Sequence, residues 1–310
     1  MHQISVVIPL YNKENEIERC LRSVIDQSLS PLEILIVDDG CTDASATKVA
    51  ALTDERVRLI QQTNQGASAA RNRGIREATG DGVAFLDADD EWKPGFLATV
   101  AQLAERFPSA ALFATGCDIV EGGDRVVAQR YAGLPTDPEG GLIDDFFAFM
   151  TRYPPINSSN TLCRRAVFDE VGVFPVGEAL AEDWDMWTRI ALRHPVAYHP
   201  GVQAVYHTGA ENRAARDLSF TGKDTALLTT LRAALKSGSF PHTQRESVEQ
   251  FTAKHLLEIA KHTLAAGDRT TARKRIRQAW PLHGAKGKCL RWWLRSCCPL
   301  QPTAYSLQST

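Results

Sequence analysis

The feature that most limits how this chain can fold is the alternation of hydrophobic period through residues 4–90. Residues 4–10, 33–37, 57–61 and 82–86 are brief apolar runs bounded by turn or polar residues, and they read as strands. The stretches between them carry helical spacing. Ile17, Cys20, Leu21, Val24 and Ile25 fall at i, i+3, i+4, i+7 and i+8, with Asn12 or Asn15 available as a cap and Glu14 and Glu16 in the first turn. This order implies a mostly parallel α/β sheet with helices on both faces, because parallel neighbours need a crossover and the crossover helix covers a face. In such sheets ligands bind outside the carboxyl ends of the strands.

Those ends are polar here. Pro9-Leu10-Tyr11-Asn12 follows the first strand, Asp38-Asp39-Gly40 the second and Asp87-Ala88-Asp89-Asp90 the fourth, so three clusters converge on one edge. Asp87 and Asp89 offer two carboxylates with Asp90 a third; Mg2+ and Mn2+ take oxygen ligands of this kind and complete their shells with substrate phosphates. The acids have a plainer use as well: Asp90 can cap a helix starting near Pro94, and Thr42 or Asp43 the helix after Gly40. Asp38 suits a hydrogen bond to a base edge or ribose, with Gly40 admitting close backbone approach. Glu182-Asp183-Trp184 opens an amphipathic helix with Trp184, Trp187 and Ala191 along one face, where first-turn acids are worth ~0.3–1 kcal/mol through the helix dipole alone. His207 ends the last strand, where a histidine is more often satisfied locally than functional.

Beyond residue 108 the alternation loosens. Strands are expected over residues 110–117 and 125–131, a helix over 142–152, a Pro154-Pro155 turn, a helix from Glu182 and two short strands over 196–199 and 202–207. From 216 onward the pattern is purely helical, over 218–235, 243–264, 269–280 and 286–298, which divides the chain into a sheet domain, 1–215, and a helical extension, 216–310, packed against it. The 35 basic and 37 acidic residues leave a net charge of -2, which argues against nucleic acid as a partner. No run is apolar and long enough for a membrane span, the first residues lack a basic n-region, and seven cysteines without a Cys-x-x-Cys pair suit a reducing compartment, so a cytoplasmic location is expected.

Five segments in this order resemble the inverting family 2 glycosyltransferases, nucleotide-sugar enzymes of GT-A fold, over roughly residues 3–215. They are Val6-Val7-Ile8-Pro9-Leu10-Tyr11-Asn12-Lys13-Glu14, Ile36-Val37-Asp38-Asp39-Gly40-Cys41-Thr42-Asp43, Asn64-Gln65-Gly66-Ala67-Ser68-Ala69-Ala70-Arg71-Asn72, Phe85-Leu86-Asp87-Ala88-Asp89-Asp90-Glu91-Trp92 and Ala181-Glu182-Asp183-Trp184-Asp185-Met186-Trp187. Cys41 stands where the family usually has serine. The resemblance implies a Rossmann-like GT-A sheet and a UDP- or dTDP-sugar donor bordered by Pro9, Tyr11, Glu14, Asp38, Asp39, Asn64, Ala70, Arg71, Asp87 and Ala88. It further implies Mn2+ or Mg2+ on Asp89, with His207 a weaker match for a metal or diphosphate contact beside Asn212-Arg213, and Asp183 as catalytic base.

Inverting transfer is an in-line displacement at the anomeric carbon. The departing diphosphate needs its charge offset, and the incoming hydroxyl must lose its proton to a carboxylate on the opposite side. Asp183, 94 residues beyond Asp89, belongs to another element, as that geometry requires. The acceptor, a saccharide or lipid-linked saccharide of cell-surface polysaccharide or glycolipid synthesis, is expected between residues 154–160 and the Trp184/Trp187 helix. Glu182, Trp92 or Trp184 would contact it, although core packing is the commoner fate of such tryptophans. A nucleotidyltransferase would want a glycine-rich loop where Tyr11-Asn12-Lys13-Glu14 stands, a dinucleotide oxidoreductase a Gly-x-Gly-x-x-Gly, and a phosphatase with nucleophilic Asp-x-Asp would carry it on the first strand. A non-catalytic nucleotide-sugar-binding protein is the alternative of a different class.

After Asp268 the sequence has nine basic residues and no acidic one. In the last helix Leu290, Trp293, Leu294 and Cys297 share a face opposite Lys288, Arg291 and Arg295, which fits a membrane interface on the cytoplasmic side. A helical hairpin docked on the catalytic domain with a solvated basic face fits equally well.

Overall fold

The computed structural model describes residues 1, 3–121, 125–127, 134–152, 155–178, 181–209 and 223–297 of the chain. Its first third follows the expected alternation: β1 (Ile4–Leu10), α1 (Ile17–Ile25), β2 (Glu33–Asp38), α2 (Ser45–Ala50), β3 (Val57–Gln61), α3 (Ala67–Glu77) and β4 (Gly82–Phe85). β5 (Glu91–Trp92), α4 (Phe96–Arg106), β6 (Leu112–Glu121), β7 (Arg125–Val127), β8 (Gly141–Leu142) and α5 (Phe146–Arg152) come next. A 3-10 turn at Ser158–Asn160 leads into β9 (Thr161–Arg164), α6 (Val167–Val171), α7 (Glu182–Ala191) and β10 (Val196–His207). The helical part holds α8 (Ala226–Ser237), α9 (Arg245–Ala265), α10 (Arg269–Ala279) and α11 (Lys286–Cys297).

The strands form one sheet in the order β3-β2-β1-β4-β9-β6-β10-β5, with β7 on β6 and β8 on β10. β3, β2, β1 and β4 are parallel, as are β6 and β10. β9 runs antiparallel between β4 and β6, a strand that sequence reading passed over because Thr-Leu-Cys-Arg is too short to show a period. The parallel register sets Leu10 beside Asp38 and Asp38 beside Gln61, so the first three carboxyl ends are level. The two short strands expected over 196–207 are one, interrupted by register shifts between His199 and Ala204 where Pro200 and Gly201 sit. Proline has no N–H for the ladder, and a β-bulge absorbs it.

Central strands are buried on both faces, which is why they read as unbroken apolar runs. Val7, Leu35, Val83 and Phe85 face one layer, containing α5, α6 and α7, whereas Val6, Ile8, Ile34 and Ala84 face the other, with α1 and α4. Leu227 and Leu231 of α8 and Val248 and Phe251 of α9 complete the first layer. The helical part therefore adds its own side chains to the core that α7 packs on. A separate cluster joins α9, α10 and α11 through Leu256, Ile276 and Cys289. The boundary expected near 215, residues 128–131 of the strand expected over 125–131 and the Asn212-Arg213 pair lie outside the described residues. The helix expected from 218 starts instead at Ala226, capped by Thr225, whose hydroxyl accepts the Leu228 N–H at 3.1 Å.

Candidate active site

Two elements far apart in sequence meet beyond the end of β4. Arg71, buried in α3, donates from Nη2 to Asp87 Oδ1 at 2.6 Å and from Nη1 to Glu182 Oε1 at 3.1 Å. Asp87 stands two residues past β4 and Glu182 is the first residue of α7, so one guanidinium ties the strand end to the helix start. Phe174 lies beneath it at 5.5 Å. Burial opposes the charge on Arg71, but Asp87 and Glu182 outweigh that and raise its pKa.

Asp183 follows Glu182, and its Oδ1 accepts its own helix's Trp184 N–H at 2.8 Å. Burial, then the Glu182 charge, push its carboxyl up to about 8; Arg71 and the Trp184 N–H work the other way and Asp87 adds to the rise. Ala181, just before the helix, holds φ 59° and ψ 34°, a left-handed conformation that costs a non-glycine residue about 1 kcal/mol or more. Its side chain is buried in the core and its carbonyl accepts the Asp185 N–H at 3.0 Å, which hold it there. Asp185 is buried one turn in, taking the Thr230 hydroxyl of α8 at 2.6 Å and Arg189 Nε at 2.9 Å. α7 is thus fixed from the α3 side by Arg71 and from the helical part by Thr230.

Asp89 is paired with Lys13 Nζ at 2.9 Å, and Arg19 Nη2 donates to its backbone carbonyl at 2.5 Å. Asp90 does not cap a helix. Fully buried, it accepts the Ser159 hydroxyl at 2.5 Å and the His207 N–H at 2.9 Å. Burial and then the neighbouring Asp89 and Asp87 charges push its carboxyl well above the usual range. Ser159 Oγ also accepts the Asp87 N–H at 3.2 Å, so the buried acid sets the backbone from which Asp87 and Asp89 project. Sequence reading gave no role to Lys13 or Arg19 and placed Ser159 only in the 154–160 stretch expected beside the acceptor, whereas Ser159 is buried. Only the position of Lys13, directly after the first strand end, pointed toward the crevice.

At the second strand end Asp38 is buried with Oδ1 on the Cys41 N–H at 2.9 Å, whereas Tyr11 and Asn64 are exposed and Pro9 half-buried at the end of β1. Gly40, at φ 78°, packs against the Asn64 backbone, where an added Cβ would come within 3.1 Å of the amide nitrogen. The other residues expected at the donor have partners or neighbours within the protein. Asp39 is buried and spent on the following loop, taking the Gln62 side chain and the Gln65 and Gly66 N–H groups. Glu14 Oε2 is engaged by the Ala44 N–H at 3.0 Å. Ala70 and Ala88 are buried and turn no side-chain surface outward.

The acceptor platform needs the same revision. Trp92 is 3% exposed, stacked on Phe96 at 4.1 Å with its indole N–H on the Ser159 carbonyl, and Trp187 is fully buried in the core. Trp184 lies against Phe251 and Lys254 of α9, and Glu182 is occupied by Arg71. Core packing takes Trp92 and Trp187, whereas Trp184 is partly buried against the core.

The comparisons agree with this architecture. The profile of Glycosyl transferase family 2 matches residues 5–172. The chain belongs to glycosyltransferase family 2. Curated relatives in the family include the uncharacterized glycosyltransferase YibD of Escherichia coli, 48% identical over 105 residues, which are 33% of this chain and 30% of that protein. The uncharacterized glycosyltransferase alr2836 of Nostoc is 33% identical over 60% of this chain and 56% of its own length, and YwdF of Bacillus subtilis 31% identical over 66% and 74%. The match thus spans from under a third to over half of the first two relatives. A crystal structure of Staphylococcus aureus TarS residues 1–349 in complex with UDP-GlcNAc superposes at a TM-score of 0.71, covering 95% of this chain and 89% of that one at 17% identity. That likeness is one of fold, and with the mixed sheet it makes this family 2 chain GT-A, its helical part included in the superposition.

A divalent cation, which this family commonly uses, was tested against the donor set. Among the described residues no three or more His, Cys, Asp or Glu side chains gather to hold one, and the His207 ring meets Glu91 Oε1 at 2.9 Å. The expected Asp89–His207 ligand set is therefore not assembled by protein alone. Asp89, a hard oxygen donor beyond a strand end with its side chain 13% exposed and one oxygen on Lys13, still fits the kind of Mg2+ or Mn2+ site that substrate phosphates and water complete.

Proposed function

We propose that this chain is an inverting glycosyltransferase that moves a sugar from a nucleoside-diphosphate sugar, with UDP- and dTDP-sugars as the candidates, to an acceptor hydroxyl, with Asp183 as general base. The observation that carries the reading is the Asp87–Arg71–Glu182 bridge, which brings a base candidate with an upward-shifted pKa beside the donor-side strand end. A carboxyl poised at about 8 accepts a proton far more readily than one in the ordinary range, and its placement at the start of α7 is separate from the Asp87–Asp89 edge. Asp38 at the end of β2, with the exposed Tyr11 and Asn64, suits a base and ribose.

Mn2+ or Mg2+ on Asp89, when bound with the donor, would supply Lewis-acid relief of charge on the departing diphosphate. Lys13 and Arg19 act on the same acid, Lys13 by holding the carboxylate and Arg19 by fixing the backbone carbonyl. Arg71 keeps Asp87 and Glu182 oriented and offers a buried positive charge between the two halves of the reaction. The acceptor is a saccharide or a lipid-linked saccharide of surface polysaccharide or glycolipid synthesis.

The test is Asp183→Asn in the full chain, with donor binding followed by thermal shift across UDP- and dTDP-sugars and transfer by product analysis. Turnover should fall about 10²–10⁴-fold while the donor-induced rise in melting temperature survives. Undiminished turnover rejects Asp183 as the base, and no thermal shift with any nucleotide sugar rejects the donor class.

A further inference from the structure

We propose that the outward face of α11 is a docking surface for an anionic lipid bilayer. The structure divides this helix differently from its apolar pattern. Cys289 and Ser296 are buried and Trp292 and Trp293 pack inward, held by the guanidinium groups of Arg295, 4.9 Å over Trp292, and of Arg277, 5.3 Å over Trp293. Leu290 and Leu294, expected on the same face as Trp293, lie one turn apart on the outside and are 50% and 58% exposed. Trp280, at the end of α10, is 43% exposed. The helix is thus anchored by one face and presents a second apolar face that no part of the described fold covers.

The charge around that face selects the occupant. Lys288 and Arg291 are exposed on the same helix beside the leucines, and no acidic residue follows Asp268 in the sequence. A surface that is apolar at the centre, cationic at its edge and free of acids of its own segment matches an interface with acyl chains beneath and anionic headgroups above. A second copy is disfavoured, because a two-fold contact through this face would set the same cations against one another. The two readings of the tail, docked hairpin and membrane helix, are thereby assigned to different sides of one helix. The inference is independent of the transferase reading.

The experiment is co-sedimentation of the full chain with phosphatidylglycerol–phosphatidylcholine vesicles and with phosphatidylcholine vesicles alone, at low and high salt. Binding is expected to the anionic vesicles and to weaken with salt. Arg291→Ser should weaken it about fivefold, the equivalent of one basic residue near an anionic surface. Leu290→Glu with Leu294→Glu should abolish it with an unchanged melting temperature, since both side chains are exposed. No pelleting of the parent chain with anionic vesicles, equal pelleting with both vesicle types, or full binding by the double leucine variant overturns the proposal. A concentration-dependent dimer that the leucine variant abolishes, without vesicle binding, assigns the face to a second copy and overturns it as well.

Discussion

Arg71→Met is the most informative perturbation of the bridge, because its effect can be worked out without a substrate. The substitution keeps length and apolar volume but removes the buried cation shared by Asp87 and Glu182. Breaking a buried pair by deleting one partner costs about 3–5 kcal/mol, because the charges left behind lose their compensation. Asp87 and Glu182 are part-exposed, 29% and 24%, and water will recover some of that loss, so the lower half of the range applies. At roughly 2–3 °C per kcal/mol for a domain of this size, the melting temperature should fall about 6–12 °C near pH 8. Asp183 sets the pH dependence. Its carboxyl is already raised to about 8 in the folded chain, against ~3.9 when unfolded, so its contribution to stability is fully present below about pH 4 and lost as pH rises through about 8. Arg71 holds that pKa down, so without it the folded state takes up protons more strongly and the variant's deficit should shrink as pH falls from 8 to 5. Differential scanning calorimetry of both proteins across that range reads the deficit directly. A loss under about 2 °C, or a deficit that is the same at pH 5 and pH 8, would mean that the guanidinium does not hold these acids together.

The pKa of Asp183 also sets the activity profile: kcat/KM for the acceptor should rise about tenfold per pH unit up to about 8 and then level, and Glu182→Gln should move that limb to lower pH by removing the like charge beside the base. A limb that stays in place in the Glu182 variant would separate it from the titrating group. Excess chelator should stop transfer and Mn2+ or Mg2+ restore it, as stopped assays with and without added metal will read; full activity in chelator removes Asp89 from metal binding. Thr230→Val deletes the 2.6 Å hydrogen bond to buried Asp185 and should cost about 1–3 kcal/mol while lowering kcat more than it changes donor KM, with Thr230→Ser restoring both. An equal change in kcat and donor KM, or no recovery in the serine variant, would make the contact merely structural.

Much of the sheet was legible because central parallel strands are buried on both faces, and an unbroken apolar run such as Ile4–Leu10 has few other uses. β9 was not, because four residues carry no measurable period and its place is set by neighbours distant in sequence. The same division runs through the site. Asp87 and Asp183 stand out in the sequence because strand-end and helix-start acids sit in recognisable motifs. The side chains that hold them are set by tertiary packing: Ser159 reaches Asp90 across 69 positions and Thr230 reaches Asp185 across 45. Tryptophan misled for a related reason. A large ring near a site suits a sugar platform or the core equally well in sequence, and burial decided for the core at Trp92 and Trp187.

That division bears on what the helical part is for. Were it only an appendage, its helices would close on one another and meet the sheet domain through a polar seam. Instead Leu227, Leu231, Val248 and Phe251 enter the core that holds α7, Thr230 bonds Asp185, Ser247 bonds Asp145 at 2.6 Å, and Lys254 and Phe251 cover Trp184. α8 packs on α7 and α9 on α5, and none of the bonds named reaches the Asp38 or Asp89 edge. The sheet fixes Asp38 through backbone register with its parallel neighbours. A ten-residue helix with a left-handed residue before it has no such frame, and the helices after residue 225 supply one. Asp183 and the Asp87–Asp89 edge are thus held by different parts of the fold, and Arg71 ties the two together through Asp87 and Glu182.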